Sequence, residues 1–208
     1  MKRLRLLALA LPVAALAFLL LALLASGASG GSGNTKYQWD IINLDAATMT
    51  LSQGGHASAF ATHSGDSAHT GKITVTGHGT FRSNSGSPQD VTGGGTWQTF
   101  DASGNPTGSG NYEVTGFVDF HVAPGSLPPS VTDNSGNKAD VRSGLAVFEI
   151  AYDDGSDGTL IVSCDLPVGS PVDMFEGITA TKGYVDYWER DPAVAGVNAN
   201  RTNFHELH

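Results

Sequence analysis

Carboxylates with apolar neighbours are the first residues in this sequence that could do chemistry. The stretch Leu145-Ala146-Val147-Phe148-Glu149-Ile150-Ala151-Tyr152 alternates, with Leu145, Val147, Glu149 and Ala151 on one side and Ala146, Phe148, Ile150 and Tyr152 on the other. If the Leu145 side faces inward, desolvation raises the pKa of Glu149 and prepares it as a general acid or base. If that side faces out, or if Glu149 pairs with Arg142 or Lys182, the residue is structural. Asp186 poses the same choice, since it stands between Tyr184 and Trp188 on one face of its segment. That arrangement suits a polar group in an aromatic cavity and suits an exposed edge equally well. Trp97, Tyr112, Tyr184 and Trp188 are the candidate ligand-binding aromatics.

Other chemistry-bearing patterns are incomplete. Asp119 and His121 share a face and could form a carboxylate-oriented imidazole, but no nucleophile accompanies them. His56, His63, His69 and His78 lack the close spacing that puts two imidazoles on one metal, so no zinc site and no cofactor are expected. Asp153-Asp154-Gly155-Ser156-Asp157-Gly158 touches a calcium-loop pattern but has Cys164 where the bidentate Glu belongs, and a hairpin turn explains it more simply. Cys164 falls on the Leu160, Val162, Leu166 face and reads as a small buried hydrophobe. No glycine-rich stretch leads from a strand into a helix to cradle phosphate, and no Gly-x-Ser-x-Gly elbow occurs. Asn200-Arg201-Thr202 satisfies the glycosylation acceptor pattern.

The elements that must position these residues read as strands. Lys2, Arg3 and Arg5 precede an uncharged run from Leu6 to Ala25, and small residues follow to Gly30. That is the architecture of a signal peptide over 1–28, cleaved after Gly27 or Ala28. The alternative is a retained anchor at 6–25, long enough to cross a hydrocarbon core of about 30 Å. Residues 29–36, opening Ser-Gly-Gly-Ser-Gly-Asn, read as a flexible linker, and 37–208 as one β domain. Short β-branched and aromatic runs cut by Gly, Asn, Asp and Pro predict strands at 37–44, 48–52, 56–62, 72–81, 92–100, 111–122, 145–152, 159–166 and 183–189. No helical periodicity is sustained after the leader. The expected fold is all-β, an antiparallel meander closed as a barrel, with a β-sandwich as the alternative.

An internal echo favours the barrel. Val75-Thr76-Gly77-His78-Gly79-Thr80-Phe81 is repeated loosely at Val91-Thr92-Gly93-Gly94-Gly95-Thr96-Trp97 and again around Tyr112. Glycines within strands permit the bends that closure needs, and the aromatics at 81, 97 and 112 are expected on neighbouring strands. The segment 123–143, with Pro124, Pro128 and Pro129, is the one long connection, of the kind that serves as a lid or binding loop or is disordered.

Charge excludes one class of function. The chain carries 11 basic and 20 acidic residues, and loss of the leader's three basic side chains brings the net charge from −9 to near −12. Nucleic-acid binding is excluded, because it runs on clustered Lys and Arg and no such cluster is present. A membrane would be met only through an uncleaved N-terminal segment. Cys164 is the sole cysteine, so no intrachain disulfide forms.

The stretches Val91 to Trp97, Gly110 to Gly116, Phe175 to Ala180 and Lys182 to Tyr187 together resemble an uncharacterised family of exported bacterial β-rich proteins. That resemblance implies export and a bacterial source, and brings no activity with it. The Gly-aromatic hairpins and the Phe-x-Gly-x-Thr-x-x-x-Gly-Tyr stretch at 175–184 are more distantly similar to the barrel of allene oxide cyclases and dirigent proteins, which implies an apolar cavity. Two functions are therefore expected of a secreted or envelope-exterior protein. One is a non-catalytic barrel that binds a small apolar ligand or serves as a surface module. The other is a cofactor-free cyclase or isomerase with Glu149 or Asp186 as acid or base.

Overall fold

The computed structural model describes residues 34–63, 68–83 and 90–208. The leader and the linker up to residue 33 lie outside the described residues. The strands in chain order are β1 (Lys36–Asp45), β2 (Thr50–Gln53), β3 (Ala57–Thr62), β4 (His69–Val75), β5 (His78–Arg82), β6 (Val91–Asp101) and β7 (Pro106–Ala123). They continue as β8 (Thr132–Asp133), β9 (Val141–Tyr152), β10 (Asp157–Cys164), β11 (Gly177–Lys182), β12 (Val185–Tyr187), β13 (Glu189–Arg190) and β14 (Gly196–Leu207). The fold is all-β. Strands β1, β5, β6, β7, β9 and β14 hydrogen-bond in a ring, each antiparallel to its neighbours, and so close a six-stranded barrel.

The expected simple meander does not hold, because strands branch. The first half of β6 pairs with β5, Gly94 opposite His78, while its second half pairs on the same side with β4, Trp97 opposite Val75. The strand expected at 72–81 is thus two strands on one continuous register, parted at Thr76 and Gly77. There Ile41 N donates to Gly77 O at 2.8 Å, and a side chain at 77 would run into the Tyr112 hydroxyl and the Trp39 ring. β9 branches in the same way, pairing with β14 at Val141 and Arg142 and with β10 from Gly144 to Ala151. One branch continues through β10, β11 and β12, the other through β4, β3 and β13.

Alternation along the strands turns large rings into the barrel. Tyr37, Trp39 and Phe81 enter from β1 and β5, Phe117 and Phe120 from β7, Phe148 from β9 and Phe204 from β14. Phe81, fully buried, packs against Tyr37, Phe117, Phe120, Phe148 and Phe204 with ring centroids 5.0 to 6.1 Å apart. These are the separations of offset and edge-to-face aromatic pairs. Of the three aromatics in the internal echo, Phe81 belongs to this cluster, whereas Trp97 and Tyr112 each pack on Tyr152, at 5.7 and 6.2 Å.

The segment 123–143 is docked on the barrel wall. β8 runs parallel to β2, Ser126 and Val168 form a two-way backbone bridge, and Lys138 Nζ donates to the carbonyls of Pro128, Pro129 and Val131 at 2.7, 3.1 and 2.5 Å. Asp133, fully buried at its side chain, meets His205 Nε2 at 2.9 Å and accepts from Ser135 Oγ at 2.6 Å. Burial opposes the charge on Asp133, but the hydrogen bonds from His205 and Ser135 outweigh it and hold the carboxyl below its usual value. Under this strap Val131 joins Ile42 and Leu51, with Leu44 and Leu127 alongside, in a small apolar cluster outside the barrel.

Candidate functional site

The sequence-predicted residues are dispersed. Glu149 is exposed on the outward face of β9, where Leu145 and Val147 are only half-buried; the desolvation that an inward face would have given it is absent. Asp186 is exposed on β12 opposite Thr181. Tyr184 stands fully in solvent in the turn between β11 and β12. Tyr112 is in the core with its hydroxyl donating to Thr76 O at 2.8 Å. Trp97 is also buried, its Nε1 donating to Asn111 O and Asp153 Oδ1, both at 3.1 Å, and Lys182 Nζ lies 4.3 Å from its ring centre. Trp188 is half-exposed and lines a cleft described below. Asp119 and His121 do meet, at 2.9 Å, on an exposed face. Cys164 is fully buried and burial pushes its thiol well up. Asn200 is buried, accepting from Ser58 N at 2.8 Å and donating to Pro192 O at 3.0 Å, so in the folded chain it is not open to a glycan.

The residue that sequence reasoning missed is Glu176. Between β10 and β14 the barrel wall has a gap, because β9 pairs with β14 only at its first two residues and then turns its edge to β10. Backbone donors at the end of β10 and in mid-β14 are left without ladder partners, and buried donors must be satisfied. Glu176, just before β11, supplies both acceptors: Oε2 takes Asp165 N and Oε1 takes Thr202 N, each at 2.6 Å. The segment is held there by Ser163 Oγ donating to Phe175 O at 2.7 Å and by Thr202 Oγ1 donating to Ser163 O at 2.6 Å. Gly177 follows at φ 113°, a conformation that suits glycine. Burial pushes the Glu176 carboxyl up to about 8, against the pull of the Thr202 and Asp165 amides and of the Arg201 charge. In the protonated form one carboxyl oxygen also carries an O–H that can donate, and the other keeps a second lone pair beyond its amide bond.

Two clefts meet at Asp165 and Glu176. One, of about 730 Å³, is a broad mixed surface with Trp188, Glu189 and Arg190 on its far side, the Arg190 guanidinium lying 5.2 Å from the Phe175 ring centre. The other, of about 280 Å³, is narrower and apolar. Ile42, Leu44 and Leu51 form its floor, Leu127 and Val131 its strap side, and Met49 its mouth. Asp165, Glu176 and Arg201 also line it. An apolar concavity with a few convergent polar groups, one of them a carboxyl displaced from its usual titration, is the arrangement that small-molecule sites share. Comparison of the chain with known protein families, with characterised proteins and with solved structures finds no match.

Proposed function

We propose that this chain is an exported β-barrel protein that holds a small ligand with an apolar body, without chemistry, in the cleft between the barrel wall and the 127–131 strap. The basic, apolar and small-residue leader is the support for export and for a place outside the cytoplasm. The observation that carries the binding reading is where apolar surface is offered. The barrel interior is occupied by interlocking rings, so a guest there would have to displace Phe81 and its neighbours. The cleft instead presents Leu44, Met49 and Leu127 to a guest without disturbing the core.

A titration with the neutral fluorophore N-phenyl-1-naphthylamine tests this. Met49, at φ 52° and 40% exposed, can be replaced by Asn without strain, since Asn tolerates the left-handed region. Saturable enhancement that Met49→Asn weakens by about tenfold, equivalent to about 1.4 kcal/mol, is the expected result. Absence of saturable binding, or binding indifferent to Met49→Asn and to Leu127→Gln, would overturn the proposal.

A catalytic reading, a cofactor-free cyclase or isomerase, draws on one observation: the Glu176 carboxyl, titrating near 8 beside the apolar cleft, holds a transferable proton at neutral pH. Under that reading Glu176 takes the role expected of Glu149 or Asp186.

A further inference from the structure

The polar end of the apolar cleft has a charge pattern that narrows the guest. Glu176 uses both oxygens on backbone amides, and Thr202 uses both its N–H and its hydroxyl within the wall. Asp165 contributes its backbone N–H to Glu176, but its carboxylate makes no hydrogen bond and no ion pair among the described residues. Arg201 donates through Nε alone, to Val194 O at 3.0 Å, and its two terminal amino groups make no hydrogen bond and no ion pair among the described residues. Both residues line one cleft, and no hydrogen bond or ion pair joins them. Elsewhere on the chain such pairs are closed, as Arg142 with Glu206 at 2.9 Å and Lys182 with Asp154. Burial keeps the Glu176 carboxyl largely uncharged at neutral pH, so it does not cancel the Arg201 charge.

We infer that the cleft receives a small zwitterion of the amino-acid type, its apolar side group against Leu44 and Leu127, its ammonium against Asp165 and its carboxylate on the Arg201 fork. This rests on the binding function proposed above. A guanidinium fork matches a carboxylate in two parallel hydrogen bonds, and a compact ammonium suits a single exposed carboxylate. A guest carrying one charge would leave the opposite protein charge unanswered while covering it, which costs free energy.

Four probes that share one aromatic body separate the possibilities by calorimetry or ligand-observed NMR on the full protein: L-phenylalanine, 2-phenylethylamine, 3-phenylpropionate and N-acetyl-L-phenylalanine amide. Phenylalanine is expected to bind at least tenfold more tightly than either singly charged probe. Arg201→Met should erase its advantage over 2-phenylethylamine, and Asp165→Asn its advantage over 3-phenylpropionate. Arg201→Lys, which keeps the charge and loses the fork, should retain part of the effect and guards against misfolding of the Met variant. Phenylalanine binding no better than the neutral amide, or unmoved by these substitutions, would overturn the inference. If N-phenyl-1-naphthylamine still binds in that case, the apolar-ligand function stands and only the zwitterion fails; if no probe binds, both fall.

Discussion

At the scale of the residue, Glu176 governs how the fold responds to pH. Its carboxyl is raised from an ordinary 4.5 to about 8, so between those values the folded chain holds a proton that the unfolded chain releases. The stability it contributes is complete below 4.5 and drains away as the pH rises towards 8, at up to about 1.4 kcal/mol per pH unit. Asp40, fully buried with its carboxyl raised by that burial against the amides of Gln38 and Gln53, acts in the same direction from a lower starting point. Asp133, held below its ordinary 3.8, loses its contribution only as the pH falls beneath that value, outside this window. Urea midpoints measured from pH 5 to pH 8 should therefore decline, and Glu176→Gln should flatten most of the slope. The same variant should cost about 1–3 kcal/mol at pH 5, because an amide offers one acceptor oxygen to two backbone donors. An undiminished slope in the variant would assign the effect elsewhere. Nothing in the sequence around Glu176 announced this role. Phe175-Glu176-Gly177 belongs to no alternating run, and the donors it satisfies stand 11 and 26 residues away, brought there by the branch in β9. Glu149 shows the converse: period-two alternation was legible, but which face met the core depended on partners that the sequence does not display.

At the scale of the element, the 123–143 strap shows how a connection with little regular structure can be ordered. Three carbonyls converge on one ammonium, Lys138, and a buried Asp133–His205 contact fixes the other end. Lys138→Met retains the stem and removes the donors, so it should cost about 1–3 kcal/mol. Its amide exchange should accelerate at 127–137 while β1 and β14 keep their protection; unchanged exchange over the strap would mean that Asp133 alone suffices to hold it. The strands that composition favours, β1, β6, β7, β9 and β10, were legible because each is rich in β-branched and aromatic residues between turn formers. The turn at 153–158 was legible for its Asp and Gly. β14 was not, since Gly-Val-Asn-Ala-Asn-Arg-Thr-Asn carries little strand propensity. It is a strand because β1 on one side, and β9 with Glu176 at Thr202 N on the other, take its backbone groups, a case of context overriding preference. β11 was missed for a similar reason, as a short run opened by Gly177 and paired on both sides.

At the scale of the molecule, the barrel and both branches share one core, and the ring cluster at its centre is a structural support. Phe81→Ala should destabilise the whole chain by about 3–5 kcal/mol, the range for a buried aromatic whose space cannot collapse. Loss of N-phenyl-1-naphthylamine binding should then track the global unfolding curve. A much smaller cost, accompanied by new dye binding inside the vacated space, would show that the interior can accept a guest after all. Branching also determines where the sheet ends. Among the described residues, β8, β12 and β13, of two, three and two residues, are paired on one side only along their whole length, and β7 beyond Glu113 ladders with β9 alone. A long unpaired edge acts as a template for intermolecular association, and the three short end strands offer too little backbone to hold another chain in register. Crowded copies of this chain would find little backbone at the ends of the sheet, and would meet instead along the outer stretch of β7 from 114 to 123.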